Sequence, residues 1–140
     1  MAGRKLENLR IWMDARELVV DIYTLMANNR DFGFKDQIQR AAVSIMNNIA
    51  EGFEYNSDPV YVRYLNIAKG SCSEVKSMLY LCEDLGYCSQ EQRVSLQSKV
   101  LDVSSGIYNR LYICHKSRPN DIFLYLLSVV RCLLSKECET

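Results

Sequence analysis

Seven residues between Tyr61 and Cys82 constrain this chain more than anything else in it. Tyr61, Leu65, Ala68, Cys72, Val75, Leu79 and Cys82 step by four and three in unbroken alternation. That is the period of one helical face, whereas a strand would alternate by two. Three heptads of this pattern make a coiled-coil-like seam, so the segment needs a partner helix along its whole length. A flanking row, Tyr64, Ile67, Ser71, Glu74, Met78, Leu81 and Leu85, predicts a second neighbour.

The stretch Gln37–Gly52 carries the complementary pattern. Ile38, Ala42, Ile45, Ile49 and Phe53 form one apolar stripe. Beside it run Ala41, Ser44, Asn48, Glu51 or Gly52, and Tyr55, small or polar groups that admit a neighbouring backbone and need hydrogen-bond partners. This helix is expected in the middle of a bundle.

A first helix is predicted from about Asn8 to Asn28, with Trp12, Ala15, Val19, Ile22 and Met26 as its stripe, widened by Ile11, Leu18 and Leu25. Asp36 with Gln39 is the expected cap of the second helix, and Asp58 before Pro59 that of the third. Gly86 supplies the stop of the third helix, and Ser89 with Gln92 a capping box for the fourth. Leu96, Val100, Val103, Ile107, Leu111 and Cys114 mark the inner face of that fourth helix, which ends before Pro119. Four long helices with short loops predict an all-α, antiparallel up-down-up-down four-helix bundle over residues 1–118.

Residues 119–140 are expected to add an extra short C-terminal helix to the same domain. Ile122–Leu134 holds eleven apolar residues in thirteen, broken by Ser128 and Arg131. A membrane span takes roughly 20 apolar residues, so this stretch is too short to cross. Apolar nearly all round, it must still be covered. It either completes the core or forms an interface, with Ile122, Phe123, Leu126, Val130 and Leu133 as the contact residues.

With 17 basic and 17 acidic residues the formal charge is zero, which counts against strong autonomous binding of nucleic acid but leaves room for a local patch. Between Arg93 and Arg118 the only acidic residue is Asp102, set against Arg93, Lys99, Arg110, Lys116 and Arg118. Tyr108, Tyr112 and His115 interleave there. Such a face can hold a phosphate backbone and stack bases, with Arg93, Lys99, Arg110, Tyr112, Lys116 and Arg118 as the contacts. The plainer reading is a solvated helix face whose cations suit the carboxyl end of the macrodipole. Ser44, Asn48, Glu51, Ser71 and Glu74 read as a polar seam that fixes helix register rather than as an acid–base pair. Nothing combines a nucleophile, a base and an orienting group, so no enzyme is expected. Six cysteines without a C-x-x-C pair, and one histidine, His115, offer no metal set and imply no cofactor. With no apolar signal segment at the start, a reduced cytoplasmic setting is expected.

Three runs together resemble a known family. They are Gln37-Ile38-x-Arg40-Ala41-Ala42-Val43-Ser44-Ile45-x-x-Asn48-Ile49-Ala50-Glu51-Gly52, then Tyr64-Leu65-x-Ile67-Ala68-x-Gly70-Ser71-x-x-Glu74, then Leu85-Gly86-Tyr87. With Trp12 and Glu17-Leu18-Val19-Val20, they look like the four-helix-bundle proteins encoded in 23S ribosomal RNA intervening sequences. The likeness spans roughly Leu6 to Ser117. It implies a bacterial protein that forms a homopentameric ring. It also implies kinship with the accessory variability determinant of diversity-generating retroelements, a basic pentamer that binds nucleic acid and a reverse transcriptase. The expected function is therefore a non-enzymatic, ring-forming accessory or scaffold protein that associates with RNA, DNA or an enzyme such as a reverse transcriptase. The alternative is a protein–protein module that acts through the apolar C-terminal helix without nucleic acid. Two departures stand out: the loop before the second helix is short and lacks proline, and the apolar tail lies outside the shared region.

Overall fold

The computed structural model describes residues 5–55 and 57–116. A short 3-10 turn, Leu6–Asn8, leads into α1 (Arg10–Met26), α2 (Phe32–Glu54), α3 (Asp58–Asp84) and α4 (Gln90–Lys116). Among the described residues there is no strand. The chain divides into two compact units, Met1–Ile107 and Tyr108–Thr140; α1 to α3 and most of α4 belong to the first. In the second, the described residues are the last turns of α4. The expected helix at Ile122–Leu134 lies outside the described residues.

The 4–3 seam of α3 folds as its spacing requires: Leu65, Ala68, Cys72, Val75, Leu79 and Cys82 are buried, and Tyr61 is half-buried. The α2 stripe is likewise inside at Ile38, Ala42, Ile45 and Ile49, and α4 contributes Leu96, Val100, Val103 and Ile107. The flanking row of α3 divides. Ser71 and Met78 are buried, but Ile67, Glu74, Leu81 and Leu85 are exposed.

The contacts run in opposite senses along three pairs of helices, α2–α3, α3–α4 and α1–α4. Gly52 of α2 meets Tyr61 and Tyr64 early in α3, while Ser44 reaches Ser71 further along it. The amide of Gln97 in α4 donates to the Lys76 carbonyl, and Arg93 pairs with Glu83. Lys99 of α4 meets Glu17 and Asp21 of α1, and Gly106, further along α4, faces Ile11.

Three expectations about helix ends and faces need correction. Helix α2 begins at Phe32, capped by Asp31, whose carboxylate accepts the Phe34 amide at 3.0 Å. Asp36 is therefore inside the helix, in an ion pair with Arg40. Burial of Phe34 favours this early start, because it adds an aromatic ring to the core. Helix α3 takes Ser57 as its N-cap, one residue before Asp58, with Pro59 in the first turn and no side-chain cap bond. On α1 the buried line is Ile11, Ala15, Leu18, Ile22 and Met26. Trp12 and Val19 are half-buried, and the Arg16 guanidinium lies over the Trp12 ring at 5.7 Å.

The turn between α3 and α4 is as expected. Gly86 takes φ +74°, a left-handed conformation that costs glycine little. The Tyr87 amide then donates to the Cys82 carbonyl at 2.8 Å, satisfying an end carbonyl. In the box that follows, the Gln92 amide donates to Ser89 Oγ at 3.1 Å and the Ser89 amide to Gln92 Oε1 at 2.9 Å. Tyr87 also ties this turn to the one before α2: its hydroxyl donates to the Asp31 carboxylate at 2.9 Å, and its ring packs edge-on to Phe34.

Candidate functional site

The basic face of α4 is split by what its cations touch. The Arg93 guanidinium is bound to the Glu83 carboxylate, donates to Gln97 Oε1 at 2.7 Å and lies over the Tyr80 ring at 5.0 Å. Its side chain is only 14% exposed. Lys99 donates to Glu17 at 2.8 Å and also to Asp21. Those two hydrogen bonds, Asp21 first, raise the lysine above its ordinary range, and the bond from Lys99 holds the Glu17 carboxyl low. Both side chains serve the joints of α4 with α3 and α1.

The other members lie at the carboxyl end of α4. Arg110 is half-buried, Tyr112 is 47% exposed and Lys116 is exposed. Arg118 lies outside the described residues, as do the interface candidates Ile122, Phe123, Leu126, Val130 and Leu133. Lys116 and its neighbour His115 are the basic residues of the last turn, where the helix macrodipole favours a cation such as Lys116.

The polar seam forms in part. Ser44 and Ser71 hydroxyls are 2.8 Å apart, and Asn48 Nδ2 donates to the Ser44 carbonyl at 2.8 Å and to its hydroxyl at 3.1 Å. The bonds thus lock α2 to α3 at one height. Glu51 and Glu74 are exposed. Glu74 shares a groove of about 510 Å³ with Gly33, Asp36, Gln37, Arg40, Ala41 and Ser44, and Glu51 is not part of it. Of its two carboxylates Asp36 is paired with Arg40, and Glu74 beside a hydroxyl supplies no nucleophile with an oriented base.

Among the described residues no cluster of histidine, cysteine and carboxylates is placed to hold a metal. Cys72, Cys82 and Cys88 are buried thiols outside any disulfide. Burial pushes Cys72 up to about 12. Burial, aided by a hydrogen bond with Cys88, does the same to Cys82. Such thiols act as small apolar groups, not nucleophiles.

Sequence reasoning missed a stack of two tyrosines where α2 meets α3. The rings of Tyr55 and Tyr64 are 5.6 Å apart and 14° from parallel. The available signal was Tyr55 lying four residues beyond Glu51 on the polar stripe of α2.

The model of the family described as 23S rRNA-intervening sequence protein matches residues 7–109. This chain belongs to that family. A solved protein of unknown function from the S23 ribosomal protein family of Bacteroides thetaiotaomicron is 25% identical, with a TM-score of 0.68. The match covers 72% of this chain and 97% of that one. No curated protein matches the chain. The family's description names an intervening sequence of 23S ribosomal RNA and no activity, and the solved relative is of unknown function. No helix among the described residues is long and apolar enough to cross a membrane.

Proposed function

We propose that this family member is a non-enzymatic accessory protein. In this reading its helices close into an up-down-up-down bundle and its copies into a homopentameric ring that presents α4 to RNA, DNA or a nucleic-acid enzyme such as a reverse transcriptase. The observation that carries it is the division of the basic face. Arg93 and Lys99 are held in internal pairs, so the cations of the face lie towards the carboxyl end of α4 at Arg110 and Lys116, with Arg118 two residues on in the sequence and the exposed ring of Tyr112 among them. Three cations are few for autonomous binding, since each neutralised phosphate adds a slope of only about −0.9 to the salt dependence. A ring repeats them, and linked weak contacts gain by effective concentration. The cytoplasm, where its nucleic-acid partners are made, is the setting this reading requires.

The test is a titration with structured RNA at two salt concentrations. Replacing Arg110, Lys116 and Arg118 by glutamate abolishes binding while the helical signal stays; retained binding would discard the face. A second reading rests on the eleven apolar residues of Ile122–Leu134. There the tail, folded as a short helix within the same domain, captures a protein partner. Deleting the chain after Pro119 separates the two, because only that second reading loses a partner while RNA binding is unchanged.

A further inference from the structure

Helix α2 ends against its own electrostatics. Its last turn has no basic residue and carries Glu51 and Glu54, two carboxylates at the carbonyl end of the helix, where the macrodipole favours cations. Both are exposed, and so is Asp58 at the head of α3. Among the described residues none of these three makes an ion pair, whereas Asp14, Glu17, Asp21, Asp36 and Glu83 all do.

Next to that charge is a flat aromatic surface. Tyr55 stacks on Tyr64 and is itself 50% exposed. Gly52 makes room for the arrangement, because a Cβ there would sit 2.9 Å from the Tyr64 Cβ and 2.9 Å from the Tyr61 ring. Ile67, about one turn further along α3, extends the surface with an exposed aliphatic group. A hydrogen bond between Tyr64 and Tyr55 is the main cause that lifts the Tyr64 phenol above its ordinary range; burial and the charge of Glu51 add to this, and Arg63 opposes them. Glu51 and the cation Arg63 are thus both within electrostatic reach of Tyr64.

We propose that the Tyr55–Tyr64 platform, with Glu51 in electrostatic reach and Glu54 and Asp58 on the adjoining ends of α2 and α3, docks an arginine-bearing segment of a partner protein. A guanidinium is planar, lies flat on a tyrosine ring and donates sideways to carboxylates, so one group satisfies both halves of the surface. Lysine offers a point charge with no flat face to stack. A nucleic-acid backbone is repelled by the same three carboxylates. The surface is independent of the α4 face, so either can fail alone.

The experiment uses the full chain, isotope-labelled, titrated at low salt with a short peptide alternating arginine and serine and with its lysine counterpart. Amide shifts concentrate in residues 51–67, and the arginine peptide binds more tightly. Tyr55→Ala weakens it about fivefold, the size of an exposed cation–π contact. The double variant Glu51→Gln with Glu54→Gln loses binding while its urea midpoint rises, because two misplaced charges are removed from the helix end. That opposition of stability and binding is not expected of residues that merely support the fold. The idea is overturned by absent binding, by equal lysine binding untouched by Tyr55→Ala, or by shifts centred elsewhere. It is equally overturned if an RNA oligonucleotide perturbs the same amides, or if Tyr55→Ala changes the sedimentation of the protein alone, which would make the platform a contact between copies.

Discussion

Two glycines in neighbouring helices should respond to the same substitution with opposite signs. Gly70 is exposed in α3, and a Cβ built on it meets nothing within 4 Å. Gly70→Ala therefore collects the helix propensity of alanine, a gain of about 0.5–1 kcal/mol. Gly52→Ala has the same propensity gain and a steric cost beside it. Its new methyl lies 2.9 Å from the Tyr64 Cβ and 2.9 Å from Tyr61 Cδ2. Unstrained carbon contacts lie at roughly 3.5–4.0 Å, so α2 and α3 must separate by more than half an ångström. The Tyr64 Cβ is fixed to the backbone and cannot swing away. Overpacking of this kind costs about 1–3 kcal/mol, which outweighs the propensity term and leaves a net loss of about 1 kcal/mol. The two variants should differ by about 2 kcal/mol, or roughly 8 °C in melting temperature for a chain of this size. Urea unfolding followed by far-UV circular dichroism measures it. A Gly52→Ala protein as stable as the parent, with an unchanged slope, would show that the close approach of α2 and α3 is not what fixes their spacing.

The Lys99 pairs should make stability depend on pH at both extremes. Glu17 has its pKa lowered from 4.5, so its contribution is present above that value and fades as pH falls through the lowered one; Lys99, raised from 10.5, keeps its contribution until pH climbs past the raised value. Unfolding midpoints of the parent and Lys99→Met should thus differ at neutral pH and converge in acid; a constant gap would refute the pairing. Ser44→Ala should cost about 1 kcal/mol by depriving the Ser71 hydroxyl of its partner, Ser71→Ala less because Ser44 keeps its bond from Asn48, and losses that are simply additive in a double-mutant cycle would exclude the bond. Alkylation with iodoacetamide followed by mass spectrometry should leave Cys72 and Cys82 unlabelled until the protein unfolds, and rapid native labelling of either would contradict their burial.

The helices were readable because their spacing is a one-dimensional property, and the 4–3 rhythm of α3 admits one face only. Faces with two near-equivalent stripes were not. On α1 both Trp12–Val19 and Ile11–Leu18 fit the period, and only the neighbouring helices decide that the second pair is inside. The start of α2 went astray for a related reason: Asp31 and Asp36 can each cap a helix, and burial of Phe34 selects the first. Partners far apart in sequence stayed hidden. Lys99 reads as a free cation until Glu17, distant along the chain, is seen beside it, so the basic face looked broader than the structure makes it. The Tyr55–Tyr64 stack needed the width of Gly52, which no spacing rule contains.

The carboxylate of Asp31 opens α2 and also grips Tyr87 from the turn before α4. One side chain thereby governs two loops that a protein engineer would be tempted to edit separately. Lengthening either by a residue pulls the shared anchor out of reach of the other, so affinity tags, fluorophores and fusion joints belong away from that end of the molecule.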